Sequence, residues 1–241
     1  MTTEKDPFDP DRPKELKPLD PPVVPRDAAT LILVRNDGPE KRVLMGQRSN
    51  RHTFMPDKYV FPGGGVDEQD AEAPSLSELN EACETKLNVK TARSPRTFAL
   101  TSIRETFEET GLIIGQRPDC PVDLSTVPEN WRDFYAMGVA PCLKDVRFIG
   151  QAVTPPYRPK RFDARFFIAN SEDVMADLRR PADSVELADL NWFTLDEAMD
   201  LDLPKITQFV VREVMEHLDD SKTNPAPFYT FWDEKHHIER L

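Results

Sequence analysis

Apolar residues fall into short blocks along this chain, and the spacing of those blocks switches between two periods. Residues 28–34 (AATLILV) are uninterrupted, and 42–46 (RVLMG) follow after the turn signal Asn36-Asp37-Gly38. Blocks this short, split by a turn, predict a hairpin of buried strands. Residues 59–61 then lead into Pro62-Gly63-Gly64-Gly65, where the backbone must pass a place that side chains would obstruct. Further strands are predicted at 146–153, 161–168 and 187–193. The second of these alternates Phe162, Ala164, Phe166 and Ile168 with Arg161, Asp163 and Arg165. Helical spacing rules elsewhere. Ser94 as N-cap and Pro95 at the first helical position open a helix that runs to Thr110 and stops at Gly111. Residues 76–89, 131–143 and 195–199 also read as helices. So do 204–218, with Ile206, Phe209, Val210, Val214 and Leu218 on one face. Strands with helices interspersed, and no internal repeat, make an α/β layered domain.

The ends differ from the middle. Residues 1–26 mix prolines with charges and predict an extended segment, 27–220 the folded domain, and 221–241 a proline-broken tail. A formal net charge of -12 and the absence of a basic run argue against a nucleic-acid partner. Three cysteines, none in a CxxC, fit a reducing compartment. No apolar leader and no long apolar run appear, so no membrane partner is expected and a cytoplasmic location is. The final Glu239-Arg240-Leu241 differs from a Ser-Lys-Leu address by its glutamate.

The chemistry concentrates at residues 104–111, Arg-Glu-Thr-Phe-Glu-Glu-Thr-Gly. At about 100° per residue, Glu105, Glu108 and Glu109 share one face, with Ala99, Ile103 and Phe107 roughly opposite. Like charges held this close repel unless a cation sits among them, and hard divalent ions take carboxylate oxygens. A solvated glutamate-rich helix is the plain alternative. Against it, Arg-Glu-x-x-Glu-Glu-x-Gly at a given start has a chance on the order of one in a million at ordinary residue frequencies.

These residues resemble the Nudix family, whose box reads G-x5-E-x7-R-E-U-x-E-E-x-G-U with U apolar. Arg104, Glu105, Glu108, Glu109, Gly111 and Leu112 match it, and Phe61-Pro62-Gly63-Gly64 looks like its opening. Counted from Gly64, the first acidic position falls on Asp70 rather than a glutamate, and Thr106 takes an apolar position. Between Asp70 and Arg104 stand 33 residues where the box has seven, an excess of 26. An interrupted box of this kind is similar to one Nudix subgroup, which includes a peroxisomal coenzyme A diphosphatase. Thr154-Pro155, the 161–167 stretch and Trp192-Phe193-Thr194-Leu195 agree with that subgroup.

The resemblance implies an α/β/α Nudix sandwich with a mixed sheet and a loop–helix–loop box. It implies Mg²⁺ or Mn²⁺ on Glu105, Glu108 and Glu109, and water attack on one phosphorus of a small diphosphate-linked substrate. Glu105 or Glu186 would be the catalytic base, with Glu186 favoured. Gly64 and Gly65 would lie against the substrate, and Arg104 and Asp70 would serve structure. Arg48, with Arg161 or Arg165, is a candidate for phosphate contact, against an equal alternative of a solvated strand face or a salt-bridge ladder with Asp163. Coenzyme A or an acyl-CoA leads the substrates, ahead of ADP-ribose, NAD-type molecules and dinucleotides. A Nudix-fold module without catalysis is the rival reading. The insertion at 71–93, with Leu76, Leu79, Ala82 and Cys83 at helical spacing, is expected to shape recognition of the non-phosphate moiety or to form a homodimer contact. The pair His236-His237 and the aromatic group Trp131, Phe134 and Tyr135 read as tail and core residues, respectively.

Overall fold

A computed structural model describes residues 20–49, 56–87, 92–177, 179–218, 225–232 and 235–241. Strands β1 (Arg26–Arg35) and β2 (Arg42–Arg48) form the expected antiparallel hairpin. They are followed by β3 (Tyr59–Val60) and β4 (Gly63–Gly65), then α1 (Glu81–Leu87), α2 (Pro95–Thr110) and α3 (Arg132–Ala136). Next come β5 (Arg147–Val153), β6 (Phe162–Asn170), α4 (Ser171–Val174) and β7 (Leu187–Thr194). The chain closes with α5 (Leu195–Asp200), α6 (Lys205–His217), β8 (Pro227–Trp232) and β9 (Lys235–Arg240).

Among the described residues the strands join one mixed sheet, ordered β3-β2-β1-β6-β5-β8-β9, with β4 paired to β1 and β7 to β2. The β1–β6 and β5–β8 pairs are parallel and the rest antiparallel. Period-2 alternation sends Leu31, Leu33, Phe167 and Ala169 to one face, where α1, α2 and α3 cover them. Ile32, Val34, Phe166 and Ile168 go to the other, under α5 and α6. Both faces are buried, which is why the β1 sequence is an apolar run rather than an alternation. This is the α/β/α layering expected. No helix among the described residues is long and apolar enough to cross a membrane.

Three local expectations change. The 221–241 segment is no tail: β8 and β9 pair antiparallel and extend the sheet beyond β5. Pro227 is tolerated because it is the first residue of its strand, where no ladder N–H is required. Residues 131–143 are helical only to Ala136. Ser94 accepts the Thr97 N–H through its backbone carbonyl at 3.0 Å and makes no side-chain cap.

The 71–93 segment docks on the α2 side through Leu79, Cys83 and Leu87, while Leu76 and Ala82 are exposed. Arg96 of α2 ties its start down, donating to the carbonyls of Ala71 (3.0 Å) and Ala73 (2.6 Å).

Candidate active site

The site begins with how α2 is held. Its residues are buried almost all round, so the carboxylate side is not the solvated face of the plain alternative. Thr97, Thr101, Ser102, Thr106 and Thr110 lie inside the core. The last four donate to carbonyls three or four residues back, Thr106 to Ser102 and Thr110 to Thr106 among them. A hydroxyl that bonds its own helix can take an apolar position without stranding a donor. That explains Thr106 in the box. The helix ends at Gly111, in left-handed backbone at φ 71, whose N–H bonds the Phe107 carbonyl at 2.8 Å.

Asp70 and Arg104 meet across 34 residues of sequence. The guanidinium reaches Asp70 as a fork, Nε to Oδ1 at 2.7 Å and Nη2 to Oδ2 at 3.0 Å. Asp70 is wholly buried and accepts further hydrogen bonds from Thr101 Oγ1 (2.7 Å), Trp131 Nε1 (2.9 Å) and the Asp67 N–H (3.0 Å). A buried carboxylate needs this degree of satisfaction. Arg104 spends its other donors on the Gly65 carbonyl at 3.1 Å and, through Nη1, on Glu105 and Glu108 at 2.9 Å each. The arginine therefore sets the position of two glutamates of the cluster. Trp131, Phe134 and Tyr135 are core, as read.

Glu105 and Glu109, four residues apart, point past the glycine strand β4 into a cavity of about 600 Å³. Glycine is needed at Gly64 because a Cβ there would lie 2.4 Å from Glu105 Oε2, and at Gly63 because one would lie 2.5 Å from the Ala29 carbonyl oxygen. Gly65 has open space around the corresponding position. The Gly63 N–H donates to Glu109 Oε2 at 2.8 Å. Glu186, in the turn before β7, and Arg48, at the end of β2, line the same cavity. Glu108 does not line it and stays beside Arg104, at the edge of the cluster.

Burial raises the affinity of these carboxyls for protons, and their mutual repulsion adds to it. Glu109 is pushed up to about 8 by desolvation, with Glu105 and Glu186 raising it further against the Gly63 hydrogen bond and Arg48. Glu105 is pushed up to about 7, again by desolvation first, with Glu108 and Glu186 adding and Arg104 opposing. Glu108 is also raised, chiefly by desolvation. Among the described residues no three acidic, His or Cys side chains form a ready metal cage. The donors nevertheless fit a hard divalent ion. Such an ion takes one or two carboxylates and completes its shell with water and phosphate oxygens, and it relieves the repulsion just described.

The other predicted substrate residues separate. Arg161 lies outside the cavity lining and donates to the carbonyls of Thr154 (2.9 Å) and Val23 (2.6 Å), fastening the chain ahead of β1. Arg165 is a correction. It points to the α2 face, only 1% exposed, with its guanidinium 4.1 Å from the centre of the Phe98 ring and Nη1 bonded to Asp27 at 2.9 Å. Alternation along β6 gives the cavity Phe162, Ala164 and Phe166 and sends Arg165 the other way. No described residue of 71–93 lines the cavity, which counts against the recognition half of the expectation and leaves the homodimer contact. The missed lining residues include Arg158, Lys205, Phe209, Tyr229 and His236. The aromatic run at 228–232 (Phe-Tyr-Thr-Phe-Trp) was the available signal for Tyr229, masked by Pro225 and Pro227.

No family model matches the chain. Its sequence is 27% identical over 184 residues to nudix hydrolase 7 of Caenorhabditis elegans, itself a provisional assignment, across 73% of this chain and 53% of that protein. The chain thus spans about half the length of that relative. Its structure is similar to the crystal structure of a NUDIX hydrolase from Alicyclobacillus acidocaldarius. There the TM-score is 0.61 at 27% identity, covering 79% of this chain and 90% of the other.

Proposed function

We propose that this chain, 27% identical both to a nudix hydrolase and to a NUDIX hydrolase of known structure, is itself a Nudix hydrolase and hydrolyses the diphosphate link of a nucleoside-diphosphate-linked small molecule with the help of a divalent cation. One observation carries the reading: Glu105, Glu109 and Glu186 converge with Arg48 on a single cavity floored by a glycine strand. Glu105 and Glu109, with Glu108 beside them, would hold Mg²⁺ or Mn²⁺. When bound, such an ion neutralises charge on the phosphate oxygens and lowers the pKa of water. Arg48 supplies a fixed positive charge for a phosphate, and the bare β4 backbone lets that phosphate approach closely. Arg104, locked by Asp70, is a positioning residue for Glu105 and Glu108.

Glu186 is assigned the general base, taking the proton of the attacking water on its carboxylate. It comes from the β7 turn rather than α2, so it can lie across the cavity from the metal-holding side chains. Coenzyme A or an acyl-CoA is the favoured substrate. The sequence resemblance supports it, and so does an extended apolar lining (Tyr157, Phe162, Ile206, Phe209) that also contains Arg158 and Lys205.

The test is a pair of variants assayed on diphosphate-linked metabolites. Glu186→Gln should lower kcat by about 10²-fold with metal affinity held, the usual range for loss of a general base. Glu109→Gln should weaken metal binding. A Glu186→Gln enzyme with wild-type kcat from pH 6 to 9 would move the base to Glu105.

A further inference from the structure

The cavity floor has an order that strand register makes explicit. Gly65 pairs with Ala28, Ala28 with Ala164, Ala164 with Ala152, and Ala152 with Tyr229. Residues directly opposite one another share a face of the sheet, and all five line the cavity. A row of residues with no side chain beyond Cβ therefore runs from the glycine strand across β1, β6 and β5, and ends abruptly at a tyrosine. Four strand-to-strand steps make this trough roughly 19 Å long. The carboxylates stand at one end and Tyr229 at the other.

Tyr229 is supplied by the C-terminal hairpin, whose junction with β5 is short, limited to Gln151↔Phe228 and Ala152↔Tyr229. A second hold fixes it. Glu213 of α6 accepts the Tyr229 hydroxyl at 3.0 Å on one oxygen and Arg240 Nη1 at 2.8 Å on the other. Glu213 is only 14% exposed, so the latch is partly shielded from solvent. The ring of Tyr229 leans on Phe209 at 5.8 Å between centroids. Phe231 of the same strand packs edge-on against Tyr157 at 5.2 Å, propping the loop that presents Arg158 to the cavity.

We propose that the β8–β9 hairpin is the distal wall of the substrate trough. Tyr229 limits the length of the apolar group accepted beyond the diphosphate, and Glu213 is the positioning residue that keeps Tyr229 in place. The inference rests on the reading of this cavity as the site for a diphosphate ester. A wall that blocks further methylenes discriminates by steric exclusion, and a change of one or two methylenes in an apolar pocket is worth about 10-fold or more.

The experiment is calorimetric binding of ADP and a series of straight-chain alkyl esters of ADP to the full chain, in EDTA so that turnover is stopped. For the wild type, affinity should rise with chain length and then fall at one length. Tyr229→Ala should bind the first excluded ester about 10-fold more tightly and move the break to longer chains, with ADP affinity unchanged. Glu213→Ala should shift the break in the same direction, and Glu213→Gln, which keeps an acceptor oxygen, should restore it. A merely structural role would weaken ADP and every ester alike, and that outcome overturns the proposal. So does an unmoved break in Tyr229→Ala and Glu213→Ala, or no ester binding by the wild type. Should Tyr229→Ala fail to fold, Tyr229→Leu gives the same contrast. Metal-dependent hydrolysis by the wild type is scored separately and decides the proposed activity on its own.

Discussion

Asp70→Asn removes a charge and little else, so its cost can be worked from the contacts. The carboxylate is wholly buried and the Arg104 side chain is 7% exposed, so water cannot replace what the substitution takes away. Breaking a buried ion pair by neutralising one partner costs about 3–5 kcal/mol, because the other charge stays buried. Arg104 keeps Glu105 and Glu108 at 2.9 Å, which favours the lower end, about 3 kcal/mol. The new amide also turns a donor toward groups that only donate: Arg104, Trp131 Nε1 and the Asp67 N–H. For a chain of this size that corresponds to a fall in Tm of about 6–12 °C. The urea midpoint should drop by roughly 1 M with an unchanged m-value. Calorimetry and urea titration of the two proteins give both numbers. A loss below about 1 kcal/mol would refute the reasoning, since the pair would then behave like an exposed one.

Gly64→Ala should lower kcat by about 10²-fold with little loss of stability, because the added methyl displaces the carboxylate end of Glu105 rather than backbone. Gly65→Ala, with open space at its Cβ, should cost at least 10-fold less, and equal losses in the two would show that the cradle does not act through Glu105. His217 is held below its usual pKa by burial and then by Arg147 and Lys86. The folded chain thus binds fewer protons there than the unfolded chain. Stability from this group is complete above about pH 6.5 and is lost as pH falls toward the folded value. His217→Gln should therefore lose less stability than wild type between pH 7 and 5, measured by thermal denaturation, and an identical pH slope would contradict this.

The sequence exposed the box because charge spacing on a helix is local. Arg104, Glu105, Glu108, Glu109 and the Gly111 stop all lie within two turns. The hairpin of β1 and β2 and the alternation of β6 were legible for the same reason. What misled was context beyond the segment. Arg165 looked exposed by alternation, yet both faces of its sheet are covered, and Asp27 and Phe98, distant in sequence, make its burial tolerable. The prolines of the C-terminal segment argued for a tail, while its pairing with β5 is a long-range contact that no local pattern announces.

The central claim is that the glutamate-lined cavity breaks a phosphoanhydride with water. Mass spectrometry of products formed in ¹⁸O-water from coenzyme A, ADP-ribose and dinucleotides, with Mg²⁺ and with Mn²⁺, measures it directly. The account predicts phosphomonoester products carrying one ¹⁸O, from at least one substrate, abolished by EDTA and nearly absent with Glu109→Gln. No cleavage by the wild type, or a Glu109→Gln protein that keeps the wild-type rate, would contradict it.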